Sequence, residues 1–193
     1  MIKSTNYVVW RVVCLSFILV SCAKTPKEKA EPFVTELAMP NFRLATMQDS
    51  TMILSKDISK DGIVVLKYFS PDCDHCQKAA QQYVSRKNCF SNLRTIWMSG
   101  DWANLKDIQT FAETYNLNQT NPIYIGKDVA SNLVLYFDLK SVPFAAVYKD
   151  NQLIKEYRNK LDFNELAEIN NGTFVPQPKD SLLKIRQQFS MKR

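Results

Sequence analysis

The stretch GIVVLKYF, residues 62–69, is a near-continuous run of β-branched and aromatic residues with one lysine inside it. A strand that is apolar on both pleat faces cannot lie open to water, so the run predicts a central strand covered on each side. The next segment, SPDCDHC, ends the run at Pro71 and places Cys73 and Cys76 two residues apart where a helical stretch begins. Residues 74–87 carry Ala79, Ala80, Tyr83 and Val84 on one side and Arg86 and Lys87 near the end, as a helix lying on that strand requires.

The alternation of strand and helix continues through the chain. NFRLATMQDSTMIL reads as a strand, a turn at Gln48–Ser50 and a second strand, an N-terminal β-hairpin. LRTIWMS (93–99) is a second buried strand, and Leu105, Ile108, Phe111, Ala112 and Tyr115 recur at helical spacing across 103–116. PIYIG (122–126) predicts a short strand, and 128–138 a short helix opened by Asp128. VPFAAVY (142–148), a turn at Lys149–Asn151 and QLIKEYR form a closing hairpin. Asp162 and Glu165 have capping-box spacing for a helix through Ile169, with Gly172 just past its end. Leu182, Ile185 and Phe189 predict a last amphipathic turn or two. The fold class expected from this pattern is α/β, a sheet covered by helices on both faces.

The first 22 residues read as an export signal. A cationic start is followed by the apolar VVCLSFILV, too short for a membrane span of about 20 residues, and the segment ends in LVSC. That ending resembles the lipobox of bacterial lipoproteins, which implies cleavage before Cys22 and a lipid on its sulfur. The expected organisation is a signal peptide at 1–21, the lipidated Cys22 with a polar tether through 37, a folded domain at 38–172, and a partly helical extension at 173–193. Residue 23 is Ala, not the Asp that favours inner-membrane retention in many Gram-negative lipoproteins. The expected location is the cell envelope, anchored to a membrane and facing the periplasm. The formal charge of +6 is spread along the chain without the dense basic stripe of a nucleic-acid protein.

Export changes how the cysteines count. Cys14 leaves with the signal and Cys22 is lipidated, so the domain keeps Cys73, Cys76 and Cys89. A helix N-terminus offers unpaired N–H groups and partial positive charge, which acidify a thiol placed there. Cys73 is therefore the candidate nucleophile, and Cys76, one turn further in, the thiol placed to resolve a mixed disulfide. Ser70 or Asp72 can cap this helix. Two other readings stay open. Zinc needs four ligands, and only Cys89 and His75 remain to supply them, so no metal is expected. A structural staple across so short a loop removes little chain entropy. His75 is the only histidine, which argues against Ser-His or Cys-His hydrolysis. Cys89 lies thirteen residues beyond Cys76, about 20 Å along a helix, out of disulfide reach, and is expected to be a small buried hydrophobe. Trp97, Trp102, Tyr115 and Phe137 are expected in the core.

VVLKYFSPDCDHC, the helix FAETYNL before the strand PIYIG, and SVPFAAVYKDNQLIKEY together resemble the thioredoxin superfamily, and more closely exported TlpA/ResA-type thiol–disulfide oxidoreductases, across roughly 38–170. The resemblance implies a thioredoxin-like central mixed sheet with an N-terminal hairpin extension. It also implies a cis Pro143 facing the disulfide and the backbone of Val142 pairing with substrate. No organic cofactor is implied. The implied partners are protein thiols and disulfides of the cell envelope, and a membrane electron donor or acceptor that recycles the pair, with reduction favoured over oxidation. Four residues depart from the thioredoxin pattern. Asp72 replaces an aromatic residue, and Asp74-His75 replaces Gly-Pro. In disulfide isomerases and DsbA-type oxidants a histidine in this place makes the pair more oxidising, whereas the aspartates disfavour a thiolate. Lys67 stands where thioredoxin keeps a buried acid; it can stabilise a thiolate or, as favoured here, snorkel from the sheet edge. The competing class is a non-catalytic binding module whose cysteines form a permanent bridge.

Overall fold

The computed structural model describes residues 37–47, 51–120, 122–176, 178 and 180–184. The expected signal, Cys14, Cys22 and the tether through 36 fall outside the described residues, as do the turn at 48–50 and Ile185 and Phe189.

Seven strands form one mixed sheet. They are β1 (Arg43–Thr46), β2 (Met52–Leu54), β3 (Ile63–Phe69), β4 (Leu93–Ser99), β5 (Tyr124–Asp128), β6 (Phe144–Lys149) and β7 (Gln152–Arg158), in the spatial order β2-β1-β5-β4-β3-β6-β7. β3, β4 and β5 run parallel, and the pairs β3–β6, β6–β7, β1–β5 and β1–β2 are antiparallel. The run that opened the sequence reading is thus central, and Val64 through Phe69 are all buried.

Helices α1 (Asp74–Ser85) and α2 (Leu105–Thr114) connect β3 to β4 and β4 to β5. Both connections step the same way along the sheet, and right-handed crossovers place both helices on one face. Helix α4 (Phe163–Asn171) joins them there. Cys76, Ala80 and Tyr83 of α1, Ile108, Phe111 and Ala112 of α2, and Phe163, Leu166 and Ile169 of α4 share one core with Val65 and Phe69. The alternate β3 residues Val64, Leu66 and Tyr68 face a second core. Leu133 and Phe137 of α3 (Asn132–Phe137), the entering Leu37, Met39 and Phe42, and Leu182 and Leu183 of the helical residues 180–184 cover it. The strand therefore needs two covering layers because its side chains are apolar in both directions.

Local signals match their expected places with instructive differences. Asp150 and Asn151 both adopt left-handed backbone, the geometry of a two-residue hairpin turn between β6 and β7. The Asp162 carboxylate accepts from the N–H groups of Asn164 and Glu165, but Glu165 does not reach back; it binds Lys155 Nζ at 2.7 Å instead. Asp128 does not begin an α-helix directly. A 3-10 turn at Val129–Ser131 intervenes, and the carboxylate reaches over it to accept from Leu133 N at 2.8 Å.

Parallel β3, β4 and β5 end at one edge of the sheet. The loops after them gather there with the segment entering β6, at the crevice where open α/β sheets hold their ligands.

Candidate functional site

Cys73 is the N-cap of α1, with extended backbone at φ −87° and ψ 115°. Its sulfur accepts from Cys76 N at 3.4 Å, so the thiol, not Ser70 or Asp72, occupies the capping position. The reason is the loop path. Cys73 N donates to Ser70 O at 3.2 Å, closing a turn at Pro71, while the Ser70 hydroxyl is spent on Asp72. Gln77 fastens the turn by donating its side-chain amide to Pro71 O at 3.1 Å.

The two cysteines are in the dithiol form and differ in environment: Cys73 is half-buried and Cys76 is buried. Burial pushes the Cys76 thiol well up from its ordinary range, and the hydrogen bond with Cys73 adds to the rise. Cys76 thus stays protonated, while Cys73 sits at the start of α1 with its sulfur against the Cys76 N–H. Across the crevice the Val142–Pro143 peptide is cis. The Cys73 thiol donates to the Val142 carbonyl at 3.8 Å, so the two motifs, sixty-nine residues apart, meet.

The remaining predicted residues fall in different places. Asp72 is exposed, and the Ser70 hydroxyl holds its carboxyl below the usual range, so it stays anionic beside the pair. Asp74 and His75 are exposed on the first turn of α1. His75 lines a groove of about 310 Å³ together with Pro143. Among the described residues, no group of three or more metal-ligating side chains comes together.

Lys67 does not snorkel. It lies in the middle of β3, paired with Trp97 of β4 on one side and Ala145 of β6 on the other, so no edge is in reach. The side chain is 2% exposed, and Nζ has no hydrogen-bond partner among the described residues. It sits 3.2 Å from the Tyr83 ring centroid and 4.5 Å from that of Trp97. Burial lowers its pKa well below the usual lysine value. Two further expectations need correction. Cys89 is exposed, because α1 ends at Ser85 and a 3-10 turn, Lys87–Phe90, turns the chain outward. Trp102 is 58% exposed, resting edge-on against Tyr68 over Gly100, where an added Cβ would lie 2.1 Å from its ring.

The sequence reading missed the groove beside the pair. Lys78, Ala79 and Gln82 of α1 and Asn159 to Leu161 and Phe163 before and within α4 complete its lining with His75 and Pro143. Only the left-handed Asn159, just past a strand, gave a local hint of a shaped loop.

No protein-family model matches the sequence, and no curated protein does either. Solved structures do match. A secreted Mycobacterium tuberculosis disulfide oxidoreductase homologous to E. coli DsbE superposes with a TM-score of 0.56 at 16% identity, covering 68% of this chain and 95% of that one. A thioredoxin-like protein from Aeropyrum pernix gives 0.55 at 16% identity, over 68% and 89% of the two chains. The chain has a thioredoxin-like fold. The thioredoxin domain of a thiol–disulfide oxidoreductase from Bacteroides vulgatus gives 0.55 at 12% identity, over 72% and 96%. Within this thioredoxin-like sheet, Cys73 and Cys76 follow the central strand and the cis proline precedes its antiparallel neighbour.

Proposed function

We propose that the protein is a thiol–disulfide oxidoreductase working through Cys73 and Cys76. The observation that carries this reading is the contrast within the pair. Cys73 caps α1 and faces the Val142 carbonyl, while Cys76 is buried behind it with its proton held.

The chemistry balances without a cofactor. The Cys73 thiolate attacks one sulfur of a protein disulfide, forming a Cys73–substrate disulfide and releasing the other substrate sulfur as a thiolate. Cys76 then loses its proton, its sulfur attacks that of Cys73, and the second substrate sulfur leaves as a thiolate, protonated in turn. The substrate disulfide is reduced to two thiols and the pair is oxidised to one disulfide. Loss of the Cys76 proton is the step that burial opposes, so the second half of the exchange depends on a base that takes it up. The Val142 backbone, beside Cys73, supplies a strand-like edge for the incoming segment.

Asp72, held anionic at the motif, disfavours the thiolate and so favours the disulfide form, which supports the reducing direction. We place the protein in the cell envelope, exported by residues 1–21, lipidated at Cys22 and recycled by a membrane electron donor. Cys73→Ser will abolish turnover of insulin disulfides, and Cys76→Ala will accumulate mixed disulfides with protein substrates. A reduction potential near −270 mV identifies a reductant and one near −120 mV an oxidant. Full turnover in Cys73→Ser, or a pair that never exchanges in glutathione buffers, would overturn the proposal in favour of a binding module with a structural bridge.

A further inference from the structure

We infer that the groove beside the redox pair selects substrate segments carrying an acidic residue next to the target cysteine. This rests on the exchange activity proposed above and names its substrate class.

The groove of about 310 Å³ is bounded by α1, by Pro143 and by the loop from β7 into α4. Pro143 is bonded to Val142, whose carbonyl is 3.8 Å from the Cys73 sulfur, so an occupant of the groove lies beside the bond being exchanged. Its size is at the lower end of the roughly 300–1,000 Å³ of ligand pockets, room for a few side chains of an extended segment. The lining is mixed. Pro143, Ala79, Leu161 and Phe163 offer apolar surface, and Lys78, Lys160 and His75 are exposed around it.

No salt bridge among the described residues holds the two rim lysines. Lys127, Lys140, Lys155 and Arg158 are tied to carboxylates elsewhere, whereas Lys78 and Lys160 have no carboxylate within ion-pair distance among the described residues. Neither Asp72 nor Asp74 lines the groove. Asp162, next to Phe163, has its carboxylate committed to the first N–H groups of α4. Asp74 stands one turn before Lys78 on α1, in the first turn, and the two are not within ion-pair distance. An apolar floor with two free ammonium groups beside it matches a segment that presents an apolar side chain and an acidic one, and it repels a basic segment. Nothing in the reaction of Cys73 itself requires these lysines, so they add discrimination between substrates and leave the chemistry to the pair.

The test is a single-turnover measurement on pre-reduced protein, using nonapeptides with one cysteine held as a pyridyl disulfide. Their flanking residues are Glu, Gln or Lys, and release of thiopyridone is followed by absorbance. Dithiodipyridine, small and neutral, serves as the reference disulfide. Two exposed ion pairs predict that the Glu peptide reacts about three- to tenfold faster than the Lys peptide at low salt, with the ratio shrinking as salt rises. The double variant K78E/K160E is expected to invert the order, and an inversion cannot come from misfolding. Equal rates for the three peptides, or a preference that survives unchanged in the double variant, overturns the inference while leaving exchange intact. Failure of the wild-type protein to react with the reference disulfide and with every peptide overturns the exchange activity itself.

Discussion

Replacing Lys67 with methionine should stabilise this protein. The side chain is buried in the centre of the sheet, with no hydrogen-bond partner for Nζ among the described residues. An unpartnered buried polar group costs about 1–3 kcal/mol, and a charged one more. The Tyr83 and Trp97 rings recover part of this, about 0.5–2 kcal/mol, but only for the protonated fraction. Methionine keeps the unbranched stem and makes favourable sulfur–aromatic contacts with the same rings. The expected net gain is about 1–2 kcal/mol at pH 7. Its pH dependence is the sharper test. Burial lowers the folded pKa, so above it the unfolded chain binds one more proton than the folded one until pH passes the unfolded value. Wild-type stability therefore carries a rising contribution over that window, by up to about 1.4 kcal/mol per pH unit. The methionine variant lacks it, and its advantage must shrink toward pH 10. Guanidinium unfolding of both reduced proteins at pH 7, 8 and 9 measures the difference, in which the titration of Cys76 cancels. A methionine variant that is less stable at every pH by a constant amount would refute the reasoning, because Lys67 would then be a paired cation.

The other predictions concern groups away from the two cysteines. Asp128 accepts from Leu133 N and from the Tyr68 hydroxyl, its other oxygen has no partner among the described residues, and burial raises its pKa to about 6. Between the unfolded value near 4 and about 6 the folded chain binds more protons, so this residue raises stability as pH falls from 7 to 4, by about 2–3 kcal/mol. Asp128→Asn should remove that rise, as thermal unfolding across this range will show; an unchanged difference profile would mean the carboxylate is not buried. At Gly126 an added Cβ would lie 2.2 Å from the Ala45 carbonyl oxygen. Gly126→Ala should prise β1 from β5 at a cost of about 2–3 kcal/mol, measured by denaturant midpoint.

How much was legible follows from the range of each interaction. The helix boundaries around Asp162 and Gly172 were visible because capping is local chemistry, and the burial of β3 because its apolar residues point both ways. The place of Cys73 at a strand-to-helix junction was legible in the same way. That its own sulfur caps α1 was not, since the turn at Pro71 decides which side chain faces the free N–H groups. Trp102 and Cys89 read as core residues from hydrophobicity alone, yet each lies in a loop or turn whose outward path no local periodicity records.

The amino-acid order by itself determined the strands and helices, the two-layer covering of β3 and the spacing of Cys73 and Cys76, because these depend on residues within a few turns of one another. Tertiary structure decided what surrounds them. It brought Val142 across sixty-nine positions to within 3.8 Å of the Cys73 sulfur and shaped a groove from α1 and the β7–α4 loop. It also closed β4, β6 and α1 around Lys67, so that a residue able to reach water from a sheet edge lies sealed between two aromatic rings. Strand order is set by long-range pairing, and whether a charge can escape to solvent depends on which neighbours that pairing supplies.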